Sequence, residues 1–312
     1  MYRVLFVLMC LPFNLQAQDL ADRNWHDVQK EQRWVIGEEK LLDPINLRVF
    51  NGEIFVRDEG DEHLKRFNAQ GDLLNTVGKG VGQGPGEFQI MFDYALHKDE
   101  VFIVDERGSR IHRYKKDGDY IESYLTSPQH QRIAPAGEML ALVSIYKSDP
   151  FTLFSVEGEE IREFGKDFGD KVTSPPSLDG QFIQGDDEIL YLPFYAARIF
   201  VYDTDGQQNR VVTTVDEFDF LESGSHSRGF SAPDWDVSNR EGSIDGEYLY
   251  IRVRARTDDG MISIMDRYTW PEGEYLDSFQ LPSNFGRVRV SGDVMYVVNR
   301  DEATLSAYEF EW

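Results

Sequence analysis

The side chains best suited to contact a ligand lie in one long segment, Asp216–Arg240, with the sequence DEFDFLESGSHSRGFSAPDWDVSNR. Its aromatic residues are Phe218, Phe220, Phe230 and Trp235. Aromatic rings among small and acidic residues can form a contact patch for a sugar, a peptide or a partner protein, or a cap over a binding site. A loop that folds back and buries its own rings would have the same composition, so both interpretations stay open.

Three arginines, Arg48, Arg132 and Arg287, lie in or just before predicted strands. A guanidinium group can bind a carboxylate through two parallel hydrogen bonds. A small basic cluster in an otherwise acidic protein would therefore favour a ligand that carries a carboxylate. Burial of these three side chains in ion pairs would argue against this interpretation.

Other motifs do not fit the chemistry that they suggest. Ser225, His226 and Ser227 could belong to a serine–histidine–carboxylate arrangement, but the chain has no Gly-x-Ser-x-Gly motif. The glycine-rich stretch Gly78–Gly86 lacks the Gly-Lys-Ser/Thr ending of a phosphate-binding loop, and it is interpreted as a turn. The only cysteine, Cys10, lies in a segment that we expect to be removed, so the mature chain has no thiol for disulfides or catalysis.

The elements that would position these residues repeat along the chain. An acidic residue followed by an alternating apolar run occurs six times, at intervals of roughly 40 to 60 residues. These runs begin at Glu53, Glu100, Glu138, Glu188, Glu247 and Asp293. A second β-rich run follows each of them, and most units then have a glycine-containing turn and a further run. The pattern predicts an all-β fold, a six-bladed β-propeller of four-stranded antiparallel blades with few helices.

The two ends of the chain predict how the ring closes. The last unit, Arg287–Trp312, has three runs, whereas an unassigned run, Gln32–Ile36, precedes the first unit. We predict that this N-terminal strand pairs with the last blade, because an open ring leaves sheet edges exposed; a free N-terminal arm is the alternative. The long connectors Gly78–Phe92, Lys166–Gln181 and Asp216–Arg240 all join blades and should lie on one face, where we expect a site.

The first 17 residues have the composition of a secretory signal peptide. Arg3 precedes the apolar run Val4–Phe13, and Ala17 precedes the expected cleavage position. Residues 18–312 would then form a single propeller domain that is periplasmic or secreted. The formal net charge of −24 argues against binding to nucleic acid or anionic lipid, and we expect a monomer without membrane insertion of the mature chain.

The second unit resembles the NHL repeat. The resemblance is carried by the turn Gly84–Phe88, by the hydrophobic strand Val101–Asp105 that ends in aspartate, and by the Arg110-Ile111 pair that opens a third strand. The other units match in period and strand pattern only. The whole chain is similar to the six-bladed, NHL-like propellers that Bacteroidetes-type bacteria export.

The resemblance also implies an alternative function. Similar propellers include lyases and lactonases that hold a metal on the central axis through histidine or through carboxylate and amide oxygens. The residues of this chain that could serve around one divalent metal, such as calcium, are Asn46, Asp93, Glu241 and His97. Our leading interpretation involves no cofactor: a non-catalytic binding protein that recognises a small ligand, a glycan or a protein on the face with the long connectors.

Overall fold

The structure, a computed structural model, describes residues 20, 22–105, 109–126, 130–144, 146–170, 178–185, 187–216 and 237–311. Within these residues the regular structure is almost entirely β, with a four-residue helix, α1 (Lys166–Gly169), and no helix that is long and apolar enough to cross a bilayer. The strands in chain order are β1 (Gln29–Ile36), β2 (Pro44–Phe50), β3 (Glu53–Asp58), β4 (His63–Phe67), β5 (Leu73–Val77), β6 (Asp93–His97), β7 (Glu100–Asp105), β8 (Arg110–Lys115), β9 (Tyr120–Leu125), β10 (Arg132–Ala136), β11 (Met139–Val143), β12 (Phe151–Ser155), β13 (Glu160–Phe164), β14 (Gly180–Gln184), β15 (Glu188–Pro193), β16 (Arg198–Asp203), β17 (Gln208–Thr213), β18 (Val237–Asp245), β19 (Tyr248–Thr257), β20 (Gly260–Thr269), β21 (Tyr275–Leu281), β22 (Arg287–Ser291), β23 (Val294–Asn299) and β24 (Thr304–Glu311).

These strands form six four-stranded antiparallel sheets, which are the blades of a propeller. Blades 1 to 5 each use four consecutive strands, starting with β2, β6, β10, β14 and β18. The first strands of neighbouring blades contact one another and surround the central axis. Blade 6 contains β22, β23 and β24, with β1 as its fourth strand. The predicted six-bladed fold is confirmed.

The N-terminal strand closes the ring as predicted. Strand β1 is antiparallel to β24, from Gln29 opposite Glu311 to Ile36 opposite Leu305. Trp34 follows a bulge in β1, and its indole Nε1 donates a hydrogen bond of 3.0 Å to the carbonyl of Ala69 in blade 1. Closure therefore joins the last blade to the first through both backbone pairing and a side chain.

The hydrophobic core is divided into six clusters, one between each pair of neighbouring blades. Between blades 3 and 4, the Phe151 ring packs against Phe182, Tyr191 and Tyr202 with centroid separations of 5.8, 4.9 and 5.3 Å. Alternation of side chains along each strand gives every blade an apolar surface on both sides. Because only the neighbouring blades bury these surfaces, the ring is stabilised as a whole.

Aspartates at the ends of second strands hold the connectors that enter their own blades. The Asp105 carboxylate accepts hydrogen bonds from the backbone N–H groups of Gln89 (3.0 Å) and Ile90 (2.8 Å), just before β6. In blade 1, Asp58 likewise accepts hydrogen bonds of 2.8 and 2.7 Å from the two backbone N–H groups that precede β2. The aspartate that the NHL-like pattern singles out thus has a structural partner in its own connector.

The chain before β1 crosses blade 5 on its way to blade 6. Trp25 forms a parallel bridge with Ser278 on β21, the outermost strand of blade 5. Arg23 is buried between two carboxylates, with Nη2 2.8 Å from Asp216 and 2.9 Å from Asp266. Burial alone would lower the pKa of Arg23, but the hydrogen bonds and charges of the two carboxylates raise it above its ordinary value. The N-terminal segment therefore ties blade 5 to blade 6.

Replacement of Arg23 by Met should strongly destabilise the protein. The substitution removes the buried guanidinium group that Asp216 and Asp266 share, which costs about 3–5 kcal/mol. Urea unfolding gives the free energy of unfolding. Arg33→Met, which removes two exposed ion pairs on the edge of blade 6, is the matched control and should change this free energy little. Equal effects of the two substitutions would show that the Arg23 contact does not stabilise closure.

His130 is a buried histidine without a polar partner. It is fully buried, and neither ring nitrogen has a hydrogen-bond partner among the described residues. Its ring packs edge-on against Phe154, with the centroids 5.7 Å apart. Burial, with a smaller contribution from the charge of Lys147, lowers the pKa of His130 to about 4. The neutral imidazole is therefore the native form, and its protonation favours unfolding.

The His130 side chain should make stability fall as the pH drops from the unfolded pKa of about 6.5 towards the folded value of about 4. The stability that depends on the neutral imidazole is fully present above the pH range between these two pKa values, and it amounts to about 3 kcal/mol. His130→Phe should flatten the curve of unfolding free energy against pH in this window, as measured by urea unfolding at several pH values. The exposed His26→Phe control should keep the wild-type slope; an unchanged slope in His130→Phe would contradict the assignment.

Candidate functional site: an arginine cluster at one end of the channel

The first strands of the blades surround a central channel whose two ends are built differently. The connectors between blades and the turns between second and third strands lie at one end, which we call the connector face. The turns between first and second strands lie at the other end, which we call the turn face. First strands run from the connector face to the turn face, so Asp93, Arg132 and Arg287, which open β6, β10 and β22, lie near the connector face.

The Asp93 carboxylate links three blades. Nη2 of Arg48 in blade 1 donates to both of its oxygens at 3.1 Å, and the backbone N–H of Ile133 in blade 3 donates at 3.1 Å. The Arg48 guanidinium also lies over the Tyr94 ring, 4.7 Å from its centroid. The charge of Arg48 is therefore neutralised within the ring, where it holds blades together.

Glu241 has the corresponding role in blade 5, on the opposite side of the channel. Its buried carboxylate accepts hydrogen bonds from Arg252 (3.0 Å), from Arg289 (2.5 Å) and from the backbone N–H of Val288 (3.0 Å). Burial alone would raise the pKa of Glu241, but the positive charges of Arg289 and Arg252 lower it below its ordinary value. Two cations on one carboxylate leave an excess of positive charge between blades 5 and 6.

The other two predicted arginines differ in their partners. Nη2 of Arg132 lies 3.3 Å from the carboxylate of Asp179. Arg287 donates instead to the backbone carbonyls of Ile45 (3.2 Å) and Arg240 (3.3 Å), and it has no carboxylate partner among the described residues. Of the three arginines, Arg48 and Arg132 are thus ion-paired between blades, and no described carboxylate neutralises Arg287.

Arg287 belongs to a group of four arginines near the connector face of blades 5 and 6, which we call the arginine cluster: Arg240, Arg252, Arg254 and Arg287. Arg240 is the extra residue of a β-bulge in β18, so it has no pairing residue on β19. Its Nε atom is buried without a hydrogen-bond partner among the described residues. Burial, followed by the positive charge of Arg254, lowers the pKa of Arg240.

A pocket of about 200 Å³ lies beside this cluster, between blades 5 and 6. Arg252 and Arg254 line it together with Ser283, Asn284 and Asn299. The side chain of Arg254 is exposed and forms no ion pair with any residue that the structure describes. The pocket therefore combines guanidinium groups with neutral hydrogen-bonding groups and with Asp301, and Arg254 is the guanidinium in it that is available to pair with a ligand carboxylate.

Only Arg287 of this cluster is among the residues predicted from the sequence. The sequence does contain a pattern that indicates the other arginines of the cluster. Residues alternate along β19, so Arg252, Arg254 and Arg256 share one face of that strand, and β22 contains a similar Arg-Val-Arg-Val run. The alternation places arginines on a common face, but it does not show which face meets the channel.

The predicted aromatic contact patch lies outside the described part of the chain, and it stays a prediction. The same holds for the serine–histidine motif of the same connector. The residues concerned are Phe218, Phe220, Phe230, Trp235, Ser225, His226 and Ser227.

The predicted metal ligands are distributed over three blades. Asp93 and His97 lie at opposite ends of β6, about 13 Å apart along the strand, while Asn46 belongs to blade 1 and Glu241 to blade 5. Arginines already neutralise Asp93 and Glu241. In the ranges that the structure covers, no three histidine, cysteine, aspartate or glutamate side chains come close enough together to hold a metal ion.

Comparison with known proteins assigns the chain to a family. A family model described as 6-bladed beta-propeller, DUF5128, matches residues 38–223, which is more than half of the chain. The chain belongs to this family. The comparison with curated proteins finds no match.

Several solved structures have the same propeller fold as this chain, although their sequence identity to it is low. A candidate exported protein from Bacteroides fragilis is 12% identical with a TM-score of 0.59, over 91% of this chain and 95% of that chain. A member of the DUF4221 family from Bacteroides vulgatus is 11% identical with a TM-score of 0.58, over 91% and 98%. A catalytically inactive virginiamycin B lyase from Staphylococcus aureus, with quinupristin, is 10% identical with a TM-score of 0.55, over 91% and 99%.

Replacement of Glu241 by Gln should destabilise this propeller by about 3–5 kcal/mol, because Arg252 and Arg289 would lose their shared buried counter-charge. The pKa of Glu241 is lowered in the folded protein. The ionised carboxylate therefore stabilises the folded state at neutral pH, and this stabilisation is lost as the pH falls through the folded pKa. Urea unfolding at neutral pH measures the loss, with Glu247→Gln, an exposed residue in the next turn, as control. A loss no larger than that of the control would show that the ion pairs are not stabilising.

Proposed function

We propose that this propeller is a non-catalytic binding protein that recognises an anionic ligand at the connector face. The observation that supports the proposal is that Arg240, Arg254 and Arg287 have no carboxylate partner among the described residues. The chain as a whole carries a formal charge of −24, so a local excess of positive charge is unusual in it.

The chemistry of the cluster favours a carboxylate. Guanidinium groups that lie close together repel one another, and partial burial strengthens the repulsion because the surroundings screen it less. The lowered pKa of Arg240, caused by burial and then by Arg254, reflects this unfavourable environment. A bound carboxylate would supply the missing negative charge and would accept paired, charge-assisted hydrogen bonds.

The size of the pocket restricts what can enter it. A volume of about 200 Å³ is below the range of about 300–1,000 Å³ that is common for drug-sized ligands. The pocket suits a small organic acid or the acidic end of a larger ligand, such as a uronic acid on a glycan or an acidic side chain of a protein. Asn284 and Asn299 could then hydrogen-bond the neutral part of such a ligand.

Export is part of the same proposal. It rests on Arg3, Val4–Phe13 and Ala17 in the sequence, because residues 1–17 lie outside the described part of the structure. Similarity of fold to a candidate exported protein from Bacteroides fragilis supports a periplasmic or secreted location. The NHL-like character of blade 2 and a monomeric state stay predictions, and no observation on the described residues favours the alternative metal-dependent lyase or lactonase.

The test compares acids with neutral analogues of the same shape. Galacturonate and succinate should bind the mature protein, whereas galactose and succinamide should not bind at the connector face, because only the acids supply a carboxylate. Arg254→Gln should weaken binding of the acids about tenfold, as measured by calorimetry, because it removes a charge-assisted hydrogen bond. Arg162→Gln, an exposed arginine on the outermost strand of blade 3, is the matched control and should leave the affinity unchanged.

Added salt should weaken the acid complexes, since the cluster is partly exposed to solvent. The proposal would be wrong if neither acid bound, or if Arg254→Gln and Arg162→Gln bound the acids equally well.

A further inference from the structure

A second cavity, unrelated to the arginine cluster, opens at the turn face of the channel. Its volume is about 540 Å³, within the range of about 300–1,000 Å³ that is common for small-molecule sites. First strands of blades 1, 4, 5 and 6 line it, together with the turns that follow them and Trp270 from the outer part of blade 5. We call this cavity the turn-face chamber.

Several polar side chains of the turn-face chamber are available to form hydrogen bonds with a ligand. Asn51, Gln184, Ser243 and Ser291 line it, and none of these side chains has a hydrogen-bond partner among the described residues. The carboxylate of Asp187 is also without a partner there. These groups come from four different blades and converge on one space, so a ligand in the chamber could bond to several of them at once.

Apolar surface alternates with these polar groups. Phe50, Phe182 and Val290 line the chamber, and the indole of Trp270 adds a larger apolar surface at its edge. The guanidinium of Arg210 lies over the Trp270 ring, 4.9 Å from its centroid, which holds the indole in place. A wall of amide, hydroxyl and aromatic groups matches the mixed surface of a sugar, whose hydroxyl groups and C–H faces require both kinds of contact.

The charges of the turn-face chamber differ from those of the arginine cluster. The chamber has two arginines: Asp93 neutralises Arg48, and Glu241 neutralises Arg289. The carboxylates of Asp187 and Asp245 line the chamber, and neither forms an ion pair with a described residue. An anion would therefore be repelled from this end, whereas a neutral ligand would not.

We infer that the turn-face chamber is a binding site for a neutral sugar of one or two rings. The inference does not depend on the proposed function of the connector face, because the two sites share no ligand-binding residue and prefer different charges. Gln184 and Ser243 would donate and accept hydrogen bonds with the sugar hydroxyl groups.

Saturation-transfer NMR and calorimetry on the mature protein test this site with glucose, galactose, N-acetylglucosamine, maltose and lactose. At least one of these sugars should bind, and the double variant Gln184→Ala/Ser243→Ala should weaken it about tenfold or more, since two hydrogen-bonding side chains are removed. Asn284→Ala, an exposed amide beside the arginine cluster, is the matched control and should bind the sugar as the wild type does.

The result that overturns the inference is that none of these sugars binds, or that the double variant binds as well as the wild type. Tighter binding of galacturonate or of spermidine than of every neutral sugar, lost in the double variant, would also overturn it. Arg254→Gln separates the two sites: sugar binding should persist in that variant whether or not the protein binds acids.

Discussion

Each blade of this propeller carries apolar surface on both sides, and that surface is buried only where another blade covers it. The ring must therefore close, and closure depends on the first residues that the structure describes. Strand β1 completes blade 6, while Arg23, buried between Asp216 and Asp266, holds the preceding segment on blade 5. Arg23 and Asp266 are 243 positions apart, and the residues that pair β1 with β24 are farther apart still, so these contacts can form only after most of the chain is present.

Closure also explains the charged residues near the axis. The first strands converge there, and backbone N–H groups at their starts need acceptors. Asp93 and Glu241 meet this need in the same way, since each accepts a hydrogen bond from the second residue of the next blade's first strand. A buried carboxylate in turn requires a cation. Arg48 supplies it for Asp93, and Arg289 and Arg252 supply it for Glu241. The arginines that remain unneutralised at the connector face are those for which the described part of the ring supplies no carboxylate.

Local patterns were sufficient to predict the blades, and contacts between blades were not. Alternating runs, acidic turn residues and the strand Gln32–Ile36 are visible in short stretches of sequence, so six blades and N-terminal closure could be predicted and are confirmed. The ion pair of Arg48 with Asp93 joins two blades, and Arg23 binds a partner 193 residues away. No short stretch of sequence can predict such contacts. The bulge that displaces Arg240 likewise depends on how β18 meets β19. For these reasons Arg287 was predicted at the site and Arg240 and Arg254 were not.

Among the described residues, the two ends of the channel differ in the sign of the charge that has no ion-pair partner. Arg240, Arg254 and Arg287 lie towards the connector face, Asp187 and Asp245 towards the turn face, and the neutralised pairs of the inner strands lie between them. In the two proposed sites, such charges would favour an anion at the connector face and disfavour one at the turn face. Because the rest of the surface is strongly acidic, the attraction at the connector face acts at short range, within about a Debye length of 8 Å at physiological ionic strength. Selectivity at the proposed connector-face site would therefore come from direct contact with the guanidinium groups, whereas selectivity at the proposed turn-face site would come from hydrogen bonds and shape.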